Sequence, residues 1–363
     1  MFGTMKSIPD KRIVDNKEIE VVAMQHAERE ITEPVRLSNP DGTVNPDAIG
    51  FARSPIITGN LSKNYLKKKR WNYWCVYGDE ILFSATVSHL DYAAVCFVYI
   101  LHYETQRFYE KTVTIPIGRN VFLPDEVLGN VSFSNPDLNI QMLHVQGNTR
   151  LLVTVPDFDG ELLHADLLIT HLPGDESLNV VVPWNRKQFQ FTAKHHLLPA
   201  EGFVTIGDRR YELTRDESFA VLDFGRGIWP RKTIWNWSMA SQRYGRRRIA
   251  LNFGGQWTDG TGMTENAVFL DGKMFKISED VLFDYDPDDY MKPWRIRTKF
   301  SDTVDLTFTP FFERAAVTDA RLVRSDVHQL IGYYSGWLRM EEPQINLHIV
   351  KLLGSSEEHR AVW

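Results

Sequence analysis

Alternating apolar and polar positions dominate the chain after residue 70. Segments such as "EILFSATVSHL" (80–90) and "TVDLTFTPFFER" (303–314) combine two-residue periodicity with β-branched and aromatic side chains, which predicts β-strands. Gly207-Asp208 and Asp271-Gly272 stand between such segments and predict tight hairpin turns. Helical periodicity is scarce, and we expect only short helices at 184–190 and 216–220. The pattern therefore predicts an all-β protein.

One motif of Trp, Asn and a second aromatic residue occurs twice, as "RWNYW" (70–74) and "IWNWS" (234–238). Each copy is followed by a polar turn, an apolar strand and an acidic residue ahead of the next apolar strand, Asp91 in the first copy and Glu265 in the second. The second copy carries an extra loop, "QWTDGTG" (256–262). Chance similarity between strand aromatics is the alternative, but the shared order favours a duplicated β-unit.

The repeat divides the chain into four parts. We expect an N-terminal extension at 1–30, a first β-barrel domain at 31–197, a second at 198–353 and a tail at 354–363. The segment 15–31 reads as a short helix or a docking strand, and the polar tail as loosely held.

Length and charge narrow the function classes. The chain has 363 residues and a net charge of −6, which argues against nucleic-acid binding because phosphate contacts need a basic surface. The basic runs at 67–70 and 246–248 are interpreted as solvated turns. The longest apolar run, 92–101, is too short to cross a bilayer, and the N-terminus lacks the apolar core of a signal peptide. A cytoplasmic protein with a small-molecule ligand is expected, and the oligomeric state is not indicated.

Three longer motifs resemble the DUF2804 family, which is named for its unknown function. They are "LDFGRGIWPRKTIWNW" (222–237), "ALNFGGQWTDGTGMTENAVFLDG" (250–272) and "RWNYW", and the resemblance covers roughly residues 30–350. More distantly, the layout is similar to the group of AttH, carotenoid 1,2-hydratase and tocopherol cyclase. That resemblance implies two lipocalin-like barrels in tandem, apolar isoprenoid-like substrates, and acid-assisted hydration or cyclisation without a cofactor. The Asp-His step of that group has no counterpart here, so its proton donor cannot be transferred to a residue of this chain.

Two carboxylates are the candidate catalytic acids. Glu265 precedes an apolar strand, where it is either a ligand-facing acid or a solvated strand-start residue. Asp223 either forms a buried ion pair with Arg226 that organises a barrel mouth or, if buried without it, donates a proton. Alternation along the strand places Trp235 and Trp237 on one face and Asn236 on the other.

The remaining candidates are polar or aromatic residues near the repeats and in the late strand "HQLIGYYSG". The ligand-binding candidates are Trp71, Asn72, Trp74, Asp91, Arg226, Trp229, Trp235, Asn236, Trp237, Asn252, Gln256, Thr264, Asn266, Gln329 and Tyr333. The adjacent histidines in "KHH" (194–196) point to opposite faces and make a poor metal chelate. No metal or nucleotide motif is present, so neither a metal nor a cofactor is predicted.

Three functional hypotheses follow. The first is a cofactor-free hydratase or cyclase that protonates an apolar ligand with Glu265 or Asp223 in a Trp-lined pocket. The second is a non-catalytic carrier of a lipid or pigment. The third is a carbohydrate-active hydrolase with two carboxylates among Asp91, Asp223, Glu265 and Asp302. A buried acid near the ligand favours chemistry over carriage.

Overall fold

The computed structural model describes residues 28–319, 324–340 and 344–362, without the side chains of 318 and 319. Most of the predicted N-terminal extension, residues 1–27, lies outside this part. The described residues form β-strands and one short 3-10 helix, Pro46–Ala48. Strands up to residue 228 are β1 (Val35–Arg36), β2 (Gly50–Ala52), β3 (Ile57–Thr58), β4 (Lys68–Tyr77), β5 (Ile81–His89), β6 (Ala93–His102), β7 (Phe108–Pro116), β8 (Val121–Phe122), β9 (Val131–Ser134), β10 (Asn139–Val145), β11 (Asn148–Phe158), β12 (Glu161–Ile169), β13 (Leu178–Asn185), β14 (Gln188–Ile206), β15 (Arg209–Leu213) and β16 (Phe219–Ile228). The later strands are β17 (Lys232–Tyr244), β18 (Arg247–Gly255), β19 (Asn266–Leu270), β20 (Lys273–Ile277), β21 (Val281–Asp284), β22 (Trp294–Thr298), β23 (Val304–Asp319), β24 (Arg324–Met340) and β25 (Ile345–Val362).

Two curled half-barrel sheets contain almost all of these strands. The first sheet has the order β7-β6-β5-β4-β16-β14-β12-β11-β10-β9-β8, with β13, β15 and β2 paired beside this path, and the second has the order β20-β19-β18-β17-β25-β24-β23-β22-β21. In both sheets the strand with the Trp-Asn motif pairs with the last strand of its own unit. The shared order confirms the internal repeat, and the all-β prediction is confirmed with it.

Hairpin turns lie where the sequence predicted them. Asp271 and Gly272 join β19 to β20 with φ angles of 50° and 84°, the left-handed values that a tight two-residue hairpin requires. Gly207 and Asp208 join β14 to β15. The extra loop of the second copy is also present, because β18 and β19 are separated by 256–265 whereas β5 and β6 are separated only by 90–92.

Two predicted helices are wrong. Residues 184–190 are the end of β13, a turn and the start of β14, and residues 216–220 are a turn that leads into β16. In both places a short polar turn lies between apolar strand residues, and the spacing of these apolar residues resembles that of a helix. The final strand was also missed. Residues 345–362, expected to include a loose tail, form β25 between β17 and β24. The strands β14, β15 and β16, the last of which ends at residue 228, belong to the first sheet.

Each half-barrel has an apolar core, and two further apolar clusters lie between the sheets. Trp74, Val76 and Phe224 face the first core, and Ala240 faces the second. On β4 and β17, the strands with the Trp-Asn motif, the odd-numbered residues face the region between the sheets. Several Trp and Tyr side chains lie in this region. The tryptophan-rich interface therefore follows from strand alternation. None of the helices in the described part of the chain has the length and apolar character of a membrane span.

Candidate functional site

A buried lysine between the sheets is in contact with two carboxylates. Lys194 Nζ lies 2.8 Å from Asp223 Oδ1 and 3.2 Å from Glu265 Oε2. The ammonium also lies 4.0 Å from the ring centroid of Trp237, a cation–π contact. Asp223 accepts a further hydrogen bond from Thr192 at 3.2 Å. The two candidate acids named from the sequence are thus brought together by a cation.

Strand pairing explains how these side chains meet. Lys194 in β14 is the direct cross-strand neighbour of Asp223 in β16, so their side chains leave the same face. Glu265 lies at the end of the extra loop, just before β19. Its side chain lies over Gly254, where an added Cβ would be 2.2 Å from Glu265 Oε1. Only glycine at 254 leaves room for the carboxyl group.

Burial and charge set the protonation of this cluster. Burial raises the pKa of Glu265, and neighbouring Asp223 adds to this while Lys194 opposes it. For Lys194, burial alone lowers the pKa, but the two carboxylates outweigh it and the pKa is raised. Lys194 therefore stays charged, and Glu265 is the group whose neutral form is favoured.

Six tryptophans lie around Lys194 and its two carboxylates, with Trp229 at their centre. Its ring centroid lies 4.9 Å from that of Trp184, 5.5 Å from those of Trp235 and Trp257, and 6.0 Å from that of Trp71. Its indole N–H donates to Gln190 Oε1 at 2.6 Å. Trp237, beside Lys194, completes the group. We call these six residues the tryptophan cluster.

Three members of the cluster donate their indole N–H groups to three different carboxylates. Trp71 donates to Asp223 at 3.0 Å and Trp257 to Glu265 at 2.7 Å. Trp235 donates to Glu357 at 3.0 Å. A hydrogen bond to an ionised carboxylate is stronger than one between neutral groups.

Glu357 is a third carboxylate of the site and belongs to β25. Gln329 Nε2 donates to its Oε2 at 3.3 Å, and His359 Nδ1 lies 3.7 Å from its Oε1. Gln329 in turn accepts from Tyr99 OH at 2.9 Å. Burial raises the pKa of Glu357, but the neighbouring His359 and the hydrogen bond from Trp235 outweigh burial and lower it. Glu357 is therefore ionised where Glu265 favours its neutral form.

Several residues predicted as ligand contacts lie elsewhere. Trp74 faces the first core and packs edge-on against His171, because it stands three positions from Trp71 and so on the opposite strand face. Asp91 lies in the turn before β6, where it is bound by Arg70. Tyr333 packs against Phe311 outside the tryptophan cluster.

The predicted ion pair between Asp223 and Arg226 is wrong. Their spacing of three residues puts them on opposite faces of β16, so Asp223 meets Lys194 instead. Arg226 is fully buried and donates to the carbonyls of Trp71 and Pro124 and to Asn72 Oδ1. Arg226 and Asn72 therefore belong to the mouth of the first half-barrel. Asp302 is an exposed residue beside Arg339.

Other predicted residues form hydrogen bonds that hold the site residues in place. Asn252 accepts from Trp237 at 3.0 Å and donates to the Glu265 carbonyl at 2.6 Å. Asn266 accepts from the backbone N–H of Gly254, and Thr264 donates to the Ile277 carbonyl. These bonds hold the loop end that carries Glu265.

Asn236 and Gln256 line a separate cavity of about 490 Å³ at the mouth of the second half-barrel. Gln256 Nε2 donates to Asn236 Oδ1 at 2.6 Å. Asn236 faces away from Trp235 and Trp237, as strand alternation predicted. The predicted ligand residues thus divide between two places on opposite faces of β17.

Four site residues were missed from the sequence: Lys194, Glu357, Trp184 and Trp257. Lys194 had a usable signal, because a lysine inside the apolar strand "QFQFTAKHHLL" requires a buried partner. Trp257 lies in the extra loop and Glu357 in the segment interpreted as a tail. Pairing of β25 with β17 brings Glu357 to the site, and the path of the extra loop brings Trp257 there.

The family model described as a domain of unknown function, DUF2804, matches residues 28–363. The chain belongs to the DUF2804 family. A search of curated proteins finds no significant match to this DUF2804 sequence. In the described residues of this DUF2804 protein, no three His, Cys, Asp or Glu side chains are grouped so that they could hold a metal ion.

Solved structures resemble this DUF2804 protein at low sequence identity. A crystal structure assigned as AttH from Nitrosomonas europaea has a TM-score of 0.50 and 11% identity, covering 84% of this chain and 98% of that chain. Kievitone hydratase from Nectria haematococca has a TM-score of 0.49 and 10% identity, covering 81% and 88%. CghA has a TM-score of 0.48 and 9% identity, covering 83% and 90%. The likeness to AttH confirms the expected fold, two lipocalin-like units in tandem.

Proposed function

We propose that this protein is an enzyme of hydratase or cyclase type that acts on a small, largely apolar molecule at the tryptophan cluster. The observation that carries the proposal is the state of Glu265. It is 2% exposed, and among the described residues its Oε2 has no polar partner besides the Lys194 ammonium, 3.2 Å away. Trp257 donates to the other oxygen, and burial of the carboxyl group favours its protonated form.

Charge balance supports a protonated Glu265. Lys194 supplies one ammonium, and Asp223 and Glu265 supply two carboxyl groups. All three residues are at least nine-tenths buried. Buried ions are costly unless they are paired. Lys194 and Asp223 neutralise each other at 2.8 Å, so we infer that Glu265 is the group that holds a transferable proton.

The proposed step begins with transfer of the Glu265 proton to one carbon of a substrate double bond. The other carbon becomes a cation, and the faces of Trp229 and its neighbours stabilise it as aromatic rings stabilise cations in general. In hydration, the oxygen of a water molecule bonds to that carbon and releases a proton to a carboxylate. In cyclisation, a second double bond of the substrate attacks instead, and a proton is lost from carbon.

Glu357 is the proposed acceptor of the released proton. It is ionised, whereas Glu265 favours the neutral form, and opposed pKa shifts of this kind separate a base from an acid. The two residues lie on either side of Trp229, since Trp235 holds one and Trp257 the other. Proton loss from Glu357 to solvent and proton uptake by Glu265 complete the cycle.

The rival functions have less support from the site. A carrier of an apolar ligand has no need for three carboxylates and a lysine around the bound molecule, whose burial is costly. For a glycoside hydrolase, two of the four proposed carboxylates do converge, Asp223 and Glu265. Both carboxylates contact the same lysine, however, whereas a glycoside hydrolase must hold the scissile bond of the substrate between its two carboxylates.

A substrate-independent assay tests the proposal. A small-molecule extract is incubated with the protein in ¹⁸O-labelled water and separately in deuterium oxide, and products are found by untargeted mass spectrometry. Hydration adds one labelled water to a substrate, and cyclisation gives an isomer with deuterium on carbon. We expect Glu265→Gln to lower the rate by about 10²–10⁴-fold, the usual contribution of a positioned acid.

Glu279→Gln is the matched control, because Glu279 is a half-buried glutamate outside the tryptophan cluster that accepts hydrogen bonds from Ser301 and from the backbone N–H of Phe300. It should turn over at the wild-type rate. A wild-type protein that retains a small molecule through purification but never converts it would establish the carrier instead. Sugars released from oligosaccharides would establish the hydrolase.

A further inference from the structure

The two half-barrels of this duplicated protein have different mouths. Asn72 and Asn236 occupy matching positions, one residue after the tryptophans Trp71 and Trp235, and each faces the core of its own half-barrel. Arg226 and Arg360 also match, since each pairs with the residue before its tryptophan. The same positions therefore form the mouth in both units.

The protein itself fills the first mouth. Arg226 binds Asn72 Oδ1 at 2.9 Å and the Pro124 carbonyl at 2.8 Å, and so holds the 123–128 segment over the core. Gly59 N–H donates to the Asp125 carbonyl at 2.8 Å, and a Cβ at Gly59 would lie 2.8 Å from the Arg226 side chain. Arg226, Gly59 and the 123–128 segment therefore occupy the first mouth.

The second mouth is open. Arg360 turns to Glu358 in its own strand instead of reaching across to Asn236. The vacated space is the cavity of about 490 Å³, which lies within the usual range of small-molecule pockets. Its polar lining includes Asn236, Gln256, Asp259 and Tyr285, and Phe283 is part of the wall.

Gln256 is held in a costly conformation at this cavity. Its φ of 68° lies in the left-handed region, which non-glycine residues seldom adopt and which is typical of functional positions. Hydrogen bonds from its N–H to Asp259 and from its side chain to Asn236 fix it there. The amide of Asn236 is also linked to Tyr285 OH at 3.4 Å. The structure thus maintains a row of amide and hydroxyl groups at the cavity floor.

We propose that the mouth of the second half-barrel is a second ligand site, separate from the tryptophan cluster, for a small neutral molecule rich in hydroxyl groups, such as a sugar or a cyclic polyol. Amides and carboxylates satisfy hydroxyls as both donors and acceptors, and aromatic walls pack against the C–H faces of a ring. The lining has no lysine or arginine, which disfavours an anion. Asp284 in the lining is paired with Arg297 at 3.2 Å, and Asp280 nearby with Lys299, which reduces the attraction for a cation.

The test is ligand-observed and protein-observed NMR with four probes: methyl β-D-glucopyranoside, myo-inositol, choline and inorganic phosphate. We expect at least one of the two neutral probes to bind saturably and to shift resonances of Gln256 and Tyr285. Gln256→Gly should weaken that binding about tenfold, because one neutral hydrogen bond is lost. Glycine adopts the left-handed φ without strain, so this variant keeps the fold.

Asp271→Gly is the matched control, since Asp271 also has a positive φ, 50°, but lies in the hairpin turn between β19 and β20. It should bind the probe as the wild type does. Saturable binding of choline or phosphate alone overturns the ligand class. No saturable binding of either neutral probe, or an unchanged affinity in Gln256→Gly, overturns the site.

Discussion

The indole N–H of Trp235 donates a hydrogen bond to Glu357 across 3.0 Å, and the matching Trp71 donates to Asp223 across the same distance. Trp237 pairs with Glu357 in the second unit, and Tyr73 pairs with Asp223 in the first. Both carboxylates therefore stand opposite the residue two positions after their tryptophan. The duplication has preserved a tryptophan–carboxylate pair in each half.

The Trp235–Glu357 hydrogen bond should contribute to stability in a pH-dependent way. Trp235→Phe keeps most of the apolar ring but removes the donor, so we expect a loss of about 1–3 kcal/mol at pH 7. The pKa of Glu357 is lowered in the folded protein, so its contribution is present above its ordinary pKa of 4.5 and is lost progressively as the pH falls from 4.5 through the lowered pKa. Urea unfolding at pH 7 and pH 4 measures this difference.

Trp337→Phe is the control for this variant, because Trp337 stacks on the exposed His348 away from the cluster. Its small effect should be the same at both pH values. A Trp235→Phe penalty that is equally large at pH 4 would mean that lost packing, and not the hydrogen bond to Glu357, explains the effect.

Lys194 should be required to keep two carboxylates buried. Lys194→Met removes the cation but keeps the length of the side chain, and breaking a buried ion pair in this way costs about 3–5 kcal/mol. Without the lysine, the carboxyl groups must take up protons, so the penalty should shrink as the pH falls toward 5. Chemical denaturation at pH 7.5 and pH 5 tests both statements.

Lys273→Met is the matched control, since the exposed Lys273 is paired with Glu176 at 3.3 Å. A surface pair contributes about 0–1 kcal/mol. Equal penalties for the two variants would contradict the assignment of Lys194 as the charge that holds the site together.

Two buried histidines, His195 and His196, and the half-buried His171 should make the fold sensitive to acid. Burial lowers the pKa of His195 and His196 to about 3 and that of His171 to about 4, from an ordinary value of 6.5. They stay neutral in the folded protein, whereas the unfolded chain takes up protons below pH 6.5. Stability should therefore fall between about pH 6.5 and pH 4, by about 1.4 kcal/mol per pH unit for each histidine.

His195→Gln should reduce that slope by about one proton, as measured by urea unfolding midpoints at several pH values. His348→Gln serves as the control because His348 is exposed. An unchanged slope in His195→Gln would show that other groups dominate the acid response.

Glu28 should fasten the loop that carries Glu265. It accepts hydrogen bonds from the backbone N–H of Thr264 and, at 2.8 Å, from Ser278 Oγ, and it forms a buried ion pair with Lys276. Glu28→Gln should speed amide hydrogen exchange across 256–265 while exchange in the sheets stays unchanged. Glu30→Gln, which alters an exposed partner of Arg53, should leave exchange in the loop as it is in the wild type.

Much of the fold could be read from local patterns. Two-residue alternation predicted the strands, Asp271-Gly272 marked a hairpin, and the repeated Trp-Asn motif indicated the duplication. Residue-level alternation even placed Trp235 and Trp237 on one face and Asn236 on the other. The predicted helices at 184–190 and 216–220 were wrong, since a few residues of turn carry too little periodicity to distinguish the two structures.

The sequence by itself thus determined the strands, the repeat and two of the three carboxylates, Asp223 and Glu265, because these depend on spacing along the chain. Tertiary structure alone decided that Lys194 joins those two, that Asp223 faces away from Arg226, and that Glu357 reaches the cluster from the last strand. The physical reason is that antiparallel pairing sets neighbours by register between strands far apart in sequence, and no local pattern records that register.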